Sequence, residues 1–82
     1  MTTGEITVYG TTSCPDCWRS KRYLESQNVP YSWVNISEQP DAAQTVMRIN
    51  GGARSVPTIV FPDGSVLVEP GDRELGAKLG LR

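Results

Sequence analysis

Cys14 and Cys17 are the only cysteines in a chain of 82 residues that has no histidine at all. They stand three positions apart in "TSCPDCWRS", just after the strand-like run "EITVY". A mononuclear zinc site needs about four Cys or His ligands, and two thiols fall short of that. Three other uses remain open at this level: a packed structural pair, thiolate ligands of an Fe–S cluster shared between two chains, and a working dithiol. Reducing compartments keep most thiols free, so a close pair there points to catalysis or metal binding rather than to a permanent staple.

Spacing and placement favour the dithiol. Pro15 suits the first position of a helix, where its missing N–H is no loss. Cys14 then stands at the strand-to-helix junction, where unpaired N–H groups and the positive end of the helix dipole favour a thiolate. It is the expected nucleophile. Cys17 falls inside the first turn, shielded, with its Cα about 5–6 Å from that of Cys14, within the window for an unstrained disulfide. Asp16 lies between them, and a carboxylate near the Cys14 sulfur is expected to oppose the thiolate.

The elements that must hold this pair read as follows. Ile6 and Val8 alternate with Thr7 and Tyr9 as in a short strand, which "GTTS" ends. A helix runs from Pro15 to about Gln27, stopped by "NVP", and "YSWVNI" is a second strand. Strand, helix, strand makes a right-handed crossover unit with parallel strands. Ala43, Val46, Met47 and Asn50 lie at helical spacing, and Gly51 and Gly52 close that helix. "VPTIVF" and "SVLVE" flank "PDG", where Pro62 sets a turn and Gly64 takes the left-handed position of a hairpin. The last segment, "GDRELGAKLGLR", is expected as a short helix with Leu75 and Leu79 on one face, weakened at Gly76 and Gly80 by about 1 kcal/mol each, and frayed at its end.

Composition narrows the partners. A chain this short is one domain, residues 1–82, with 38% hydrophobic and 21% charged residues, the balance of an ordinary folded chain. A net charge of −1 and no block of Lys or Arg give no footprint for nucleic acid or an anionic membrane. Neither a leader-like start nor a run of about 20 apolar residues is present, so the default compartment is the cytoplasm.

The order βαβαββα is that of a small α/β, thioredoxin-like domain: a four-stranded mixed sheet with three flanking helices, with C-x-x-C near a βαβ unit. "TTSCPDCWRSKRYL", "SVPTIVF" and "PGD" together resemble the glutaredoxins across nearly the whole chain. With "INGGARSVPTIVFPDGS", the resemblance is nearest to the mycoredoxins. The resemblance implies a thiol–disulfide oxidoreductase that reduces mixed disulfides between proteins and a low-molecular-weight thiol. Mycothiol is favoured as co-substrate over glutathione or bacillithiol. No bound cofactor and no metal are implied, and the expected form is a monomer. A flavin disulfide reductase is a further expected partner.

The resemblance also implies a cis bond between Val56 and Pro57 facing the cysteines, with the Val56 backbone pairing with the thiol substrate. Read alone, Pro57 could equally open an edge strand. Gly71 and Asp72 are implied to hold the far end of the thiol, although Asp72 could simply cap the last helix. Arg54, just before "SVP", is a further ligand candidate. Two positions depart from the family pattern. Asp16 replaces the aromatic common between Pro15 and the second cysteine, and Thr11 replaces a frequent Lys. Loss of that Lys removes a partner for the terminal carboxylate of glutathione, a group mycothiol lacks, so Thr11 leans towards mycothiol. Arg19, Lys21 and Arg22 could compensate or simply be solvated, and Trp18 could dock a partner or join the core. Two other readings compete: an electron donor to ribonucleotide reductase recharged by thioredoxin reductase, and a non-enzymatic Fe–S carrier.

Overall fold

The computed structural model describes residues 5–80. The elements follow the expected order: β1 (Ile6–Gly10), α1 (Pro15–Ser26), β2 (Tyr31–Asn35), α2 (Pro40–Ile49), β3 (Thr58–Val60), β4 (Val66–Val68) and α3 (Asp72–Leu79). One sheet is ordered β2-β1-β3-β4. β1 runs parallel to β2, with Ile6 opposite Tyr31, and antiparallel to β3, which is antiparallel to β4. β1 is therefore central, and its C-terminal end delivers the chain to Cys14.

Alternation along β1 builds a layer on each face. Ile6 and Val8 join Leu24 of α1, Ile59, Phe61 and Leu75 of α3 in the main core. Tyr9 points the other way, to Ile36, Ala43 and Val46 beneath α2. Leu24, Ile59 and Leu75 are completely buried, each stabilising the fold by about 1.5–3 kcal/mol. These contacts fix α1 against the sheet, and with it the position of its first turn.

Local chemistry ends each helix where expected. After α1, Asn28 adopts the left-handed conformation (φ 58°), and the amides of Asn28 and Val29 bond back to Glu25 and Leu24 at 3.1 and 2.9 Å. This Schellman-type stop also brings Val29 onto the core. α2 ends in the same way, with Gly51 at φ 67° and the Gly52 amide reaching back to Met47. In the hairpin, Gly64 is left-handed (φ 89°), and its amide bonds to the Phe61 carbonyl at 2.9 Å. Asp63 accepts from the Ser65 amide and hydroxyl and from Lys78 of α3, 2.8 Å away. These partners, Lys78 first, hold its carboxyl well below the usual range.

Three expectations need correction. Asp72 is not the cap of α3: Gly71 holds that position and Asp72 is the first helical residue, with no side-chain cap bond. Gly80 is not a weak interior residue but the left-handed C-cap (φ 77°), where glycine is the favoured choice. Pro57 opens no edge strand, because β3 starts at Thr58 and is flanked by β1 and β4. The expected frayed end at Leu81 and Arg82 lies outside the described residues, as does the start of the chain before Glu5.

Candidate active site

Cys14 is the N-cap of α1. Its backbone is extended (φ −101°, ψ 110°), and its sulfur accepts the Cys17 amide at 3.1 Å. A side-chain acceptor is what an N-cap supplies to the first-turn amides; here the acceptor is the reactive atom itself. Pro15 follows at the first helical position. The Cys14 thiol also faces the Val56 carbonyl at 3.9 Å, and its amide bonds to the Thr11 carbonyl at 3.5 Å. Both cysteines are free thiols, Cys14 half-buried and Cys17 buried.

Cys17 occupies a closed niche. It is 0% exposed, and a Cβ placed on Gly10 would come within 2.5 Å of its sulfur and 2.8 Å of the Trp33 ring edge. The absent side chain at Gly10 is therefore what makes room for Cys17. Burial, with contributions from the hydrogen bond and charge of Cys14 and the charge of Asp16, pushes the Cys17 thiol up to about 12, against an opposing hydrogen bond from the Thr11 backbone. The pair is asymmetric: one sulfur capping a helix, the other sealed and firmly protonated.

The loop opposite the cysteines is pinned from three sides. Thr58 is buried; its hydroxyl donates to the Ser55 carbonyl at 2.8 Å and accepts from the Asn50 amide at 3.0 Å. The Val56–Pro57 bond is cis, and Pro57 is fully buried. Its carbonyl accepts the Glu69 amide at 2.8 Å, tying the approach to α3 to the same loop. Glu69 is left-handed (φ 51°), an uncommon conformation for a residue with a side chain.

The candidate residues thus divide. Cys14, Cys17, Thr11 and Val56 are brought into direct contact, with Pro15 and Pro57 shaping either side. Gly71 and Asp72 are exposed at the start of α3, and Asp72 shares a groove with Pro15. Arg54 is exposed two residues before Val56 and does not line that groove. Asp16 is not a bare charge beside Cys14: its carboxylate pairs with Arg19 at 2.9 Å, and its field is felt at Cys17. Trp18 is 49% exposed and outside the core, with its indole N–H anchored to the Thr12 carbonyl at 2.8 Å. Gly10 and Trp33, which form the wall of the Cys17 niche, were not among the expected site residues. The only sequence signal for them was a glycine closing a strand just before the cysteines.

The glutaredoxin family model matches residues 6–67. This chain belongs to the glutaredoxin family. Mycobacterium tuberculosis has a protein provisionally named glutaredoxin Rv3198A that is 42% identical over 79 residues, covering 96% of this chain and 94% of the relative. Mycoredoxin 1 of Corynebacterium glutamicum is 31% identical over 74 residues, covering 90% and 91%. The glutaredoxin crystal structure from Archaeoglobus fulgidus superposes with a TM-score of 0.79 over 94% of this chain and 87% of its own, at 24% identity, and supports the thioredoxin-like fold. With its nearby pair of thiols, the chain is a glutaredoxin-like redox protein. Among the described residues no helix is long and apolar enough to cross a membrane.

Proposed function

We propose that this glutaredoxin reduces mixed disulfides between proteins and a low-molecular-weight thiol, with mycothiol as the favoured co-substrate. The observation that carries the reading is the cysteine asymmetry: the Cys14 sulfur caps α1 and faces Val56, while Cys17 is sealed at 0% exposure. The Cys14 thiolate attacks the small-thiol sulfur of the mixed disulfide. The protein thiolate leaves and is protonated, and the small thiol stays on Cys14. A second small thiol then displaces it, or Cys17 does so, leaving a Cys14–Cys17 disulfide for a reductase to reopen.

In this reading the Val56 backbone holds the cysteinyl part of the small thiol against Pro57, and Gly71 and Asp72 meet its far end at the start of α3. Thr11 and Arg54 are the further contacts proposed. Thr11 adds no cation for a terminal carboxylate, which favours mycothiol over glutathione. Likeness to mycoredoxin 1 across nine-tenths of both chains supports the same choice. The setting proposed is the cytoplasm.

The test is a parallel one. Oxidised protein is offered mycothiol, glutathione, bacillithiol and thioredoxin reductase with NADPH, and reduction is followed. Mycothiol is expected to be fastest. Reduction by thioredoxin reductase alone would replace the small-thiol reading with that of a reductase-recharged electron donor.

A further inference from the structure

The face of α1 that leads away from Cys14 carries two adjoining grooves, and apart from Pro15 and Asp72 the residues lining them have no part in the small-thiol exchange proposed above. The first, about 490 Å³, is lined by Pro15, Trp18, Arg19, Arg22, Tyr23, Ser26 and Asp72. The second, about 390 Å³, is lined by Trp18, Lys21, Arg22 and Glu25. Trp18 and Arg22 form the ridge between them.

This surface is built rather than incidental. Trp18 is the most exposed large apolar side chain among the described residues, yet it is held in place. Its N–H is bonded to Thr12, and the Lys21 ammonium sits 4.2 Å from its ring centroid and 3.9 Å from that of Trp33. A fixed aromatic face offers contact area without the entropic loss of ordering a mobile side chain. The charges are sorted as well. Arg19 is engaged by Asp16, and Glu25 accepts the Tyr31 hydroxyl. Arg22 makes no ion pair among the described residues. With Arg19 taken up by Asp16 and Lys21 seated over the two tryptophan rings, Arg22 is the cation on these linings left to meet a carboxylate.

We propose that this face binds the polypeptide around the disulfide cysteine of a protein substrate, in extended form, with an apolar side chain on Trp18 and a carboxylate at Arg22. The dimensions agree. Pro15 and Ser26, both on the first lining, are eleven residues apart on a helix, or about 16 Å. That is the length of about five residues of extended chain. The groove starts at the residue after Cys14, so a bound segment has its cysteine at the nucleophile. The inference rests on the Cys14 exchange reading and adds the class of protein substrate: sites with an acidic and an apolar residue near the disulfide.

Nitrothiobenzoate mixed disulfides test this without any choice of small thiol. Nitrothiobenzoate leaves more readily than a peptide thiolate, so with these probes, unlike a mycothiol mixed disulfide, Cys14 thiolate attacks the peptide sulfur, forming a Cys14–peptide disulfide and releasing coloured nitrothiobenzoate; Cys17 then displaces the peptide thiol. Three probes are compared on the reduced protein: bare cysteine, a six-residue peptide with Leu and Asp beside the cysteine, and the same peptide with Lys for Asp. The Asp peptide is expected to react about three- to fivefold faster than the Lys peptide, the range of an exposed ion pair, with the ratio shrinking in salt. Arg22→Glu should reverse that ranking, and Trp18→Ala should slow both peptides while sparing bare cysteine. Equal peptide rates, a ranking untouched by Arg22→Glu, or a Trp18→Ala loss as large with bare cysteine would overturn the assignment. No release even from bare cysteine would instead remove the exchange reading beneath it.

Discussion

Replacing Gly10 by alanine adds one methyl group at the tightest point of the molecule. The new Cβ would lie 2.5 Å from the Cys17 sulfur and 2.8 and 2.9 Å from two atoms of the Trp33 ring. Non-bonded carbon contacts settle at about 3.5–4.0 Å, so the sulfur has to retreat by about 1 Å or more, or β1 has to move. Neither neighbour yields easily. Cys17 is in the first turn of a helix locked to the core, and Trp33 is held by Lys21 and by the pairing of β2 with β1. Overpacking of this kind destabilises by about 1–3 kcal/mol, which for a domain of this size lowers the melting temperature by about 8–16 °C at the midpoint of that range. A displacement of about 1 Å at a reacting atom can slow its step by about a hundredfold, so closure of the Cys14–Cys17 disulfide should slow too. Urea unfolding of the reduced proteins gives the first quantity, and stopped-flow oxidation gives the second. A Gly10→Ala protein within about 0.5 kcal/mol of wild type that closes its disulfide at the normal rate would refute the account of the niche.

Cys17→Ser should retain exchange with small mixed disulfides but lose reduction of intramolecular protein disulfides, which needs the second thiol; equal loss in both assays would contradict this. Ser20 is 1% exposed, and its hydroxyl has no hydrogen-bond partner among the described residues. Ser20→Ala removes that buried group and improves helix propensity, so stability should rise by about 1 kcal/mol in urea unfolding, and a fall would be inconsistent with it. The raised Cys17 value sets a pH dependence with a definite sign. The folded thiol keeps its proton while the unfolded one loses it above about 8.5, so this stabilisation is complete below that pH and is lost as pH rises towards 12. Unfolding measured at about pH 8 and pH 9.5 should show a steeper decline in wild type than in Cys17→Ser. Stopping there keeps the measurement below the range of Tyr31, which burial and then Glu25 push up to about 12. Equal slopes would show that burial does not hold the Cys17 proton.

The parts legible from the sequence are those governed by neighbours along the chain. Asn28, Gly51 and Gly64 each take the left-handed turn their type favours, and Pro15 starts α1 where a missing N–H is harmless. Alternation in β1 and the spacing of Leu75 in α3 predict which side chains reach the core. What escaped depends on which groups meet once the chain is folded. Gly10 looks like a strand terminator until Cys17 and Trp33, from two other elements, are seen against it. Asp16 pairs with Arg19, one turn on, a contact that the C-x-x-C motif by itself does not give. Asp72 has the composition of a cap, but the chain enters α3 one residue earlier, at Gly71. Trp18 is placed by a bond to the Thr12 carbonyl that no periodicity encodes.

The central claim is that Cys14 takes the small thiol and Cys17 resolves it. Its most direct test is mass spectrometry of Cys17→Ser after a mixed disulfide of mycothiol with a protein is added and the reaction is quenched with acid. The account predicts one added mycothiol per chain, located by peptide mapping on Cys14, and no such adduct in Cys14→Ser. An adduct carried by the substrate protein's cysteine instead, joined to Cys14, or a mycothiol adduct on Cys17 in Cys14→Ser, would contradict it.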